Sequence, residues 1–125
     1  KVLYGKNGAG GNQSLYHPTL MSNLELGGTY APAYAQASMR MTYIGARKSS
    51  MANIMENHEA YLLPSYVVLD LTIKSLELKL LPGRATVISL HVNNVLDNHY
   101  AEPGALGVDV PSLGRSWFVR LSQDF

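Results

Sequence analysis

Cysteine is absent from this 125-residue chain, which excludes a disulfide framework. The absence fits a reducing cytoplasm and an outer membrane equally well. Charge is sparse: Asp, Glu, Lys and Arg make up 15% of the residues, against ~25% in ordinary soluble domains. The formal net charge is +1, so no global field recruits nucleic acid or acidic partners. Basic residues are scattered and not interleaved with aromatics, and no nucleic-acid interface is expected. No apolar run approaches the ~20 residues of a transmembrane helix. No export signal is visible. The chain opens on Lys1 in a Gly- and Asn-rich stretch and is expected to be a piece whose start lies elsewhere, so the missing leader decides nothing.

Catalytic signatures are also missing. Gly8-Ala9-Gly10-Gly11 lacks the Lys-Ser/Thr pair and the preceding apolar strand of a phosphate-binding loop. There is no G-x-S-x-G elbow. The four histidines His17, His58, His91 and His99 have no ligand-like spacing. The expectation is a protein that is not an enzyme, with no metal centre and no cofactor.

What is present is a period of two, the mark of half-buried strands. In residues 19–30, Leu20, Leu24 and Leu26 alternate with Asn23, Glu25 and Thr29. In 35–46, Ala37, Met39, Met41 and Tyr43 alternate with Gln36, Ser38, Arg40 and Thr42. In 66–78, Val67, Leu69, Leu71 and Ile73 alternate with Asp70, Thr72 and Lys74. In 85–96, Ile88, Leu90 and Val92 alternate with Ser89, His91 and Asn93. In 115–125, Trp117, Val119, Leu121 and the last residue, Phe125, oppose Ser116, Arg120, Ser122 and Asp124. Only 51–61 has the look of a short helical turn, within a loop.

The connections alternate in length. Residues 30–34 and 80–84 are tight links with Pro or Pro-Gly punctuation, while 47–65 and 98–113 are long, polar and irregular. Transmembrane barrels show this alternation, with short periplasmic turns and long extracellular loops. The polar face carries Glu25, Arg40, Asp70, Lys74 and Arg120. It suits solvent in a sandwich or the lumen of a large barrel, and periodicity does not separate the two. Tyr30, Tyr34, Tyr43 and Tyr66 near strand ends fit interfacial girdles. They also fit the plain preference of tyrosine for strands.

Three motifs, in order, carry a family likeness: Tyr66-Val67-Val68-Leu69-Asp70-Leu71, Val92-Asn93-Asn94-Val95-Leu96-Asp97-Asn98-His99-Tyr100, and Gly114-Arg115-Ser116 opening a strand that Phe125 closes. With Tyr43-Ile44-Gly45-Ala46-Arg47 they cover residues 19–125, and this stretch resembles the C-terminal end of a TonB-dependent outer-membrane receptor. The resemblance implies an all-β, antiparallel transmembrane barrel of 22 strands closed by an N-terminal plug. Residues 1–125 would supply about the last five strands, with the plug and earlier strands absent. It implies the outer membrane of a Gram-negative bacterium, a periplasmic C-terminus, and energy-dependent uptake of a scarce cargo of ferric siderophore, corrin or sugar type. Residues 1–17 would be the remnant of another outer loop.

The likeness also assigns residues. Trp117, Val119, Leu121 and Phe125 resemble the C-terminal signal read by the barrel-assembly machinery, and the apolar face would meet outer-membrane lipid. The TonB complex would be reached only through the missing N-terminal part. Asn93, Asn94 and Asp97 are expected to satisfy backbone groups where a strand leaves its ladder. Asp70 is expected to be a lumen-wall charge within reach of Lys74 or Arg40. His17, His58, Tyr61 and Tyr100, in the outer loops, are the candidates for cargo contact. Gln123 departs from the pattern, since an aromatic commonly stands two residues before the end. The rival readings are a passive porin-like barrel and a soluble β-sandwich used for binding.

Overall fold

The computed structural model describes residues 2–4, 17–104 and 107–123. It is mostly strand with one short helix. The strands are β1 (Val2–Tyr4), β2 (Leu20–Tyr30), β3 (Ala35–Ile44), β4 (Arg47–Lys48), β5 (Leu62–Leu63), β6 (Tyr66–Ser75), β7 (Leu78–Leu81), β8 (Arg84–Asn93), β9 (Ala101–Glu102), β10 (Val110–Pro111) and β11 (Ser116–Gln123). The helix α1 spans Met51–Asn57. The main sheet runs β1-β2-β3-β6-β8-β11, with β7 also paired to β8. The pairs β1–β2, β6–β8, β7–β8 and β8–β11 are antiparallel. Among the described residues the sheet is open, with β1 and β11 at its edges.

The five expected strands appear where the alternation placed them, as β2, β3, β6 with β7, β8 and β11. Two small hairpins, β4–β5 and β9–β10, lie within the long connections. They are too short for a period to show. Val2–Tyr4, expected in an outer-loop remnant, is instead paired to β2. The third expected strand is interrupted. Lys74 lies opposite Ser89 and Leu78 opposite Thr86, so the β6–β7 side advances one residue further than β8. This is a β-bulge, and a second register shift follows between Leu78 and Leu81. Ser75 Oγ accepts the Ile88 N–H at 2.9 Å beside the first one.

The links follow from local chemistry. Residues Ala31–Ala33 form a 3₁₀ turn with Pro in its first positions, closed by Tyr34 at φ 49°. Leu81 and Arg84 pair across Pro82-Gly83, and Gly83 has φ 74°. Pro followed by a positive-φ residue is the pattern of a type II turn, which glycine enters without steric cost. The helix begins at Ser50, whose Oγ accepts the Asn53 N–H at 3.0 Å. That bond satisfies one of the donors a helix start leaves open.

The contacts divide the chain into two compact units. One comprises Lys1–Asn23, Thr42–Val67 and Asn98–Gly114; the other comprises Leu24–Met41, Val68–Asp97 and Arg115–Phe125. Neither has an ordinary apolar core. Among the described residues the buried hydrophobics are Ile44 and Leu63. The buried polar ones are Arg47, Ser49, Ser50, Asn53, Thr86, Ser89 and Asn94.

Candidate functional site

The sheet register sorts the second unit into two faces. Leu71 of β6, Val92 of β8 and Trp117 of β11 form one cross-strand row. Ile73, Leu90 and Val119 form the next, and Ile88 with Leu121 the third. No described residue covers the row ends: Trp117 is 71% exposed, Val119 59% and Leu121 67%. Leu24, Leu26, Met39 and Met41 are also exposed on β2 and β3. Moving such a side chain out of water stabilises by about 1.5–3 kcal/mol, so an apolar face of this extent needs a covering. Of the expected assembly-signal residues, Trp117, Val119 and Leu121 share this face. Phe125 lies outside the described residues.

Gln123 closes the apolar face with a polar pair. It stands opposite Thr86, whose Oγ1 donates to Gln123 Oε1 at 2.7 Å, while Gln123 Nε2 donates to the Ala85 carbonyl at 3.2 Å. The irregular residue of the terminal strand is therefore satisfied within the sheet.

The opposite face is polar and internally connected. Arg40 pairs with Glu25 at 3.3 Å. Thr72 Oγ1 and His91 Nδ1 are 3.1 Å apart, and the His91 ring stacks on Phe118 with centroids at 4.6 Å. A polar cleft of about 210 Å³ is lined there by Glu25, Ser38, Arg40, Asp70, Thr72 and Asn93, among others.

The motif residues converge where β8 ends. Asn94 is buried and left-handed at φ 51°, a conformation Asn tolerates better than most residues. Its N–H donates to Asp70 Oδ1 at 3.0 Å. Val95 N–H donates to the Leu69 carbonyl and Asp97 N–H to the Asn94 carbonyl. Asp97, itself at φ 54°, accepts the Arg115 N–H on Oδ1 at 2.8 Å. Gly114, at φ 71°, makes the turn into β11, and Asn93 Nδ2 donates to Ser116 Oγ at 3.3 Å. Asp70, expected as a lumen-wall charge within reach of Lys74 or Arg40, holds a backbone N–H, and Arg40 has Glu25. Of the residues expected to satisfy backbone groups there, Asp97 holds the Arg115 N–H, whereas Asn93 bonds the Ser116 side chain and Asn94 gives its own N–H to Asp70; together they make a strand-end clasp.

In the first unit the two long connections are fastened to each other twice. At one point Arg47, only 7% exposed, bonds Glu102 Oε2 at 2.8 Å and donates to the Ala101 carbonyl at 3.3 Å. The Tyr66 hydroxyl donates to Glu102 Oε1, and Tyr66 stacks on Tyr100 with centroids 3.9 Å apart. Burial works against the Arg47 charge, but hydrogen bonds to Glu102 and Tyr66 and their charges outweigh it, leaving its pKa above the ordinary value.

At the other point Asn53 is fully buried. Its Nδ2 donates to Asp109 Oδ1 at 2.9 Å and to the Tyr61 hydroxyl at 3.1 Å, and its Oδ1 accepts the Gly107 N–H at 3.1 Å. The Tyr61 hydroxyl donates to Asp109 Oδ2 at 2.7 Å. That bond, with desolvation, raises the Tyr61 pKa against the opposing effect of Asn53.

Tyr61 and Tyr100, the candidate cargo contacts, therefore have internal partners. His17 and His58 are exposed, and His58 ends α1 in the left-handed region. Sequence reasoning missed Arg47, Asn53, Glu102 and Asp109. Ser50 standing three residues before Asn53 is the helix-start signal that would have led to the second cluster. Among the described residues no group of three or more His, Asp or Glu side chains is arranged to hold a metal ion. No family model, no curated protein and no solved structure matches this chain.

Proposed function

We propose that this chain is the closing part of a transmembrane β-barrel in a TonB-dependent outer-membrane receptor, a transporter for energy-driven uptake of a scarce cargo. The observation that carries the reading is the uncovered apolar face. Two successive cross-strand rows of three and a further pair, Ile88 with Leu121, are apolar, and their members on β11 stand exposed. A lipid covering stabilises that face, and in this reading the two open edges, β1 and β11, pair with the rest of the barrel so that no backbone is left unsatisfied. The ordered motifs support the family, and their convergence on one clasp at the end of β8 gives them a common physical purpose.

In this reading the turns at Pro32 and Pro82-Gly83 are periplasmic and the connections 47–65 and 98–113 are extracellular. The chain supplies barrel wall, outer-loop surface and the strand read by the assembly machinery. The plug and the energy-coupling segment belong to other parts of the protein. The test is partition. The protein is expected to require detergent or lipid vesicles to fold, and to protect Trp117 from an aqueous quencher once inserted. A cooperatively folded, monomeric chain in detergent-free buffer would overturn the reading in favour of a soluble sandwich.

A further inference from the structure

The polar face of the sheet carries a charge arrangement that neither the wall nor the strand-end clasp requires. Lys74 of β6 and Arg120 of β11 both lie directly opposite Ser89 of β8. The three form one cross-strand row: cation, serine, cation. Neighbours in such a row stand about 4.5–5.5 Å apart at Cβ, so the two cationic stems rise roughly 10 Å apart with only a hydroxymethyl group between them. Ser89 is buried beneath them. Exposed like charges at that spacing repel weakly, and elsewhere on the sheet the exposed Arg40 has a carboxylate beside it, Glu25. Among the described residues neither Lys74 nor Arg120 takes part in an ion pair.

The row lines a cleft of about 300 Å³ together with Thr72, His91 and Ser122. Its polar lining is two cations, three hydroxyls and an imidazole, with no carboxylate among the described residues. Ammonium and guanidinium groups are donors only, and His91 stands between the Thr72 and Ser89 hydroxyls at 3.1 and 3.2 Å. Such a set suits oxyanions, and the guanidinium matches carboxylate or phosphate geometry with two parallel bonds. The volume is at the small end of ordinary ligand sites.

We propose that this cleft binds a small polyanion, a solute carrying two or more carboxylate or phosphate groups. Two cations separated by a serine favour two anionic groups over one, and the buried serine leaves room between them. The proposal rests on the cleft and holds whether or not the opposite face meets lipid.

The test is calorimetric titration of inorganic pyrophosphate, and separately of tricarballylate, into the protein in non-ionic detergent at low ionic strength. Saturable binding of at least one is expected. Lys74→Gln and Arg120→Gln should each weaken it about tenfold or more, and Lys74→Arg should retain it. Lys79→Gln and Arg84→Gln, which remove cations outside the cleft, should leave it unchanged. A second measurement needs no variant. In the unmodified protein, the backbone resonances of Ser89 and Arg120 should shift with added pyrophosphate more than those of Leu90 and Val119. Absence of saturation up to about 10 mM, equal weakening by all four Gln variants, or shifts spread evenly over both groups of resonances would overturn the proposal.

Discussion

The long connections and the strand sheet solve the problem of stability in opposite ways. In the connections the interior is mostly polar: Arg47, Ser49, Ser50 and Asn53 are buried, along with Leu63, and the Arg47 guanidinium and the Asn53 amide each bond across to the other connection. Apolar side chains such as Met55, Leu62 and Leu113 are left outside. In the sheet the backbone ladder does the holding, and the apolar side chains stand outward in unbroken rows. Scattered exposed hydrophobics are ordinary on a protein surface. Contiguous rows are not, and they point to a second solvent. In the reading proposed above, the connections are built for water and the sheet for something drier.

The largest effect expected on this comparison comes from placing charge on the apolar rows. Leu71→Arg, in the row with Val92 and Trp117, should cost ~2–4 kcal/mol in a refolding titration in lipid. Thr72→Arg, one residue away on the polar face, should be mild. Equal costs at the two positions would break the assignment of faces.

Next comes the polar interior. Asn53→Leu keeps the bulk but leaves the Gly107 N–H without its acceptor and takes one donor each from Asp109 and the Tyr61 hydroxyl, while Asp109 keeps the bond from Tyr61. A buried group left without its partner costs about 1–3 kcal/mol. Hydrogen exchange should quicken in both long connections and stay unchanged in β8 and β11. Exchange confined to one connection would mean that they are not fastened as a pair.

The smallest effect is expected at Glu25→Gln. The Arg40–Glu25 pair is exposed on both sides, and such pairs contribute about 0–1 kcal/mol. A loss above that range by chemical denaturation would show that the polar face is shielded from bulk water.

The strands were legible because each face imposes its own residue class at every second position. Leu69, Leu71 and Ile73 against Asp70, Thr72 and Lys74 leave little choice of element. The strand-end clasp was half legible: Asn94 and Asp97 announced a departure from the ladder, but their partners Asp70 and Arg115 are distant in sequence. The polar fastening of the connections was not legible at all. Asn53 and Asp109 are 56 positions apart, in segments without periodicity, and a bond between them leaves no mark on the local pattern. The two-residue strands β4, β5, β9 and β10 are likewise no longer than one period.

The extra residue between Lys74 and Leu78 reverses the phase of the strand. From Leu69 to Lys74, odd positions are apolar and even ones polar. Beyond it, Leu78 stands opposite Thr86, which shares its face with Ile88 and Leu121. Parity in the sequence therefore changes meaning at Leu76 and Glu77, and the leucine keeps its proper side only because the chain takes one step out of the ladder. Removing one residue at that step would preserve the faces on both sides of it. Removing one within β6 would turn part of the sheet inside out.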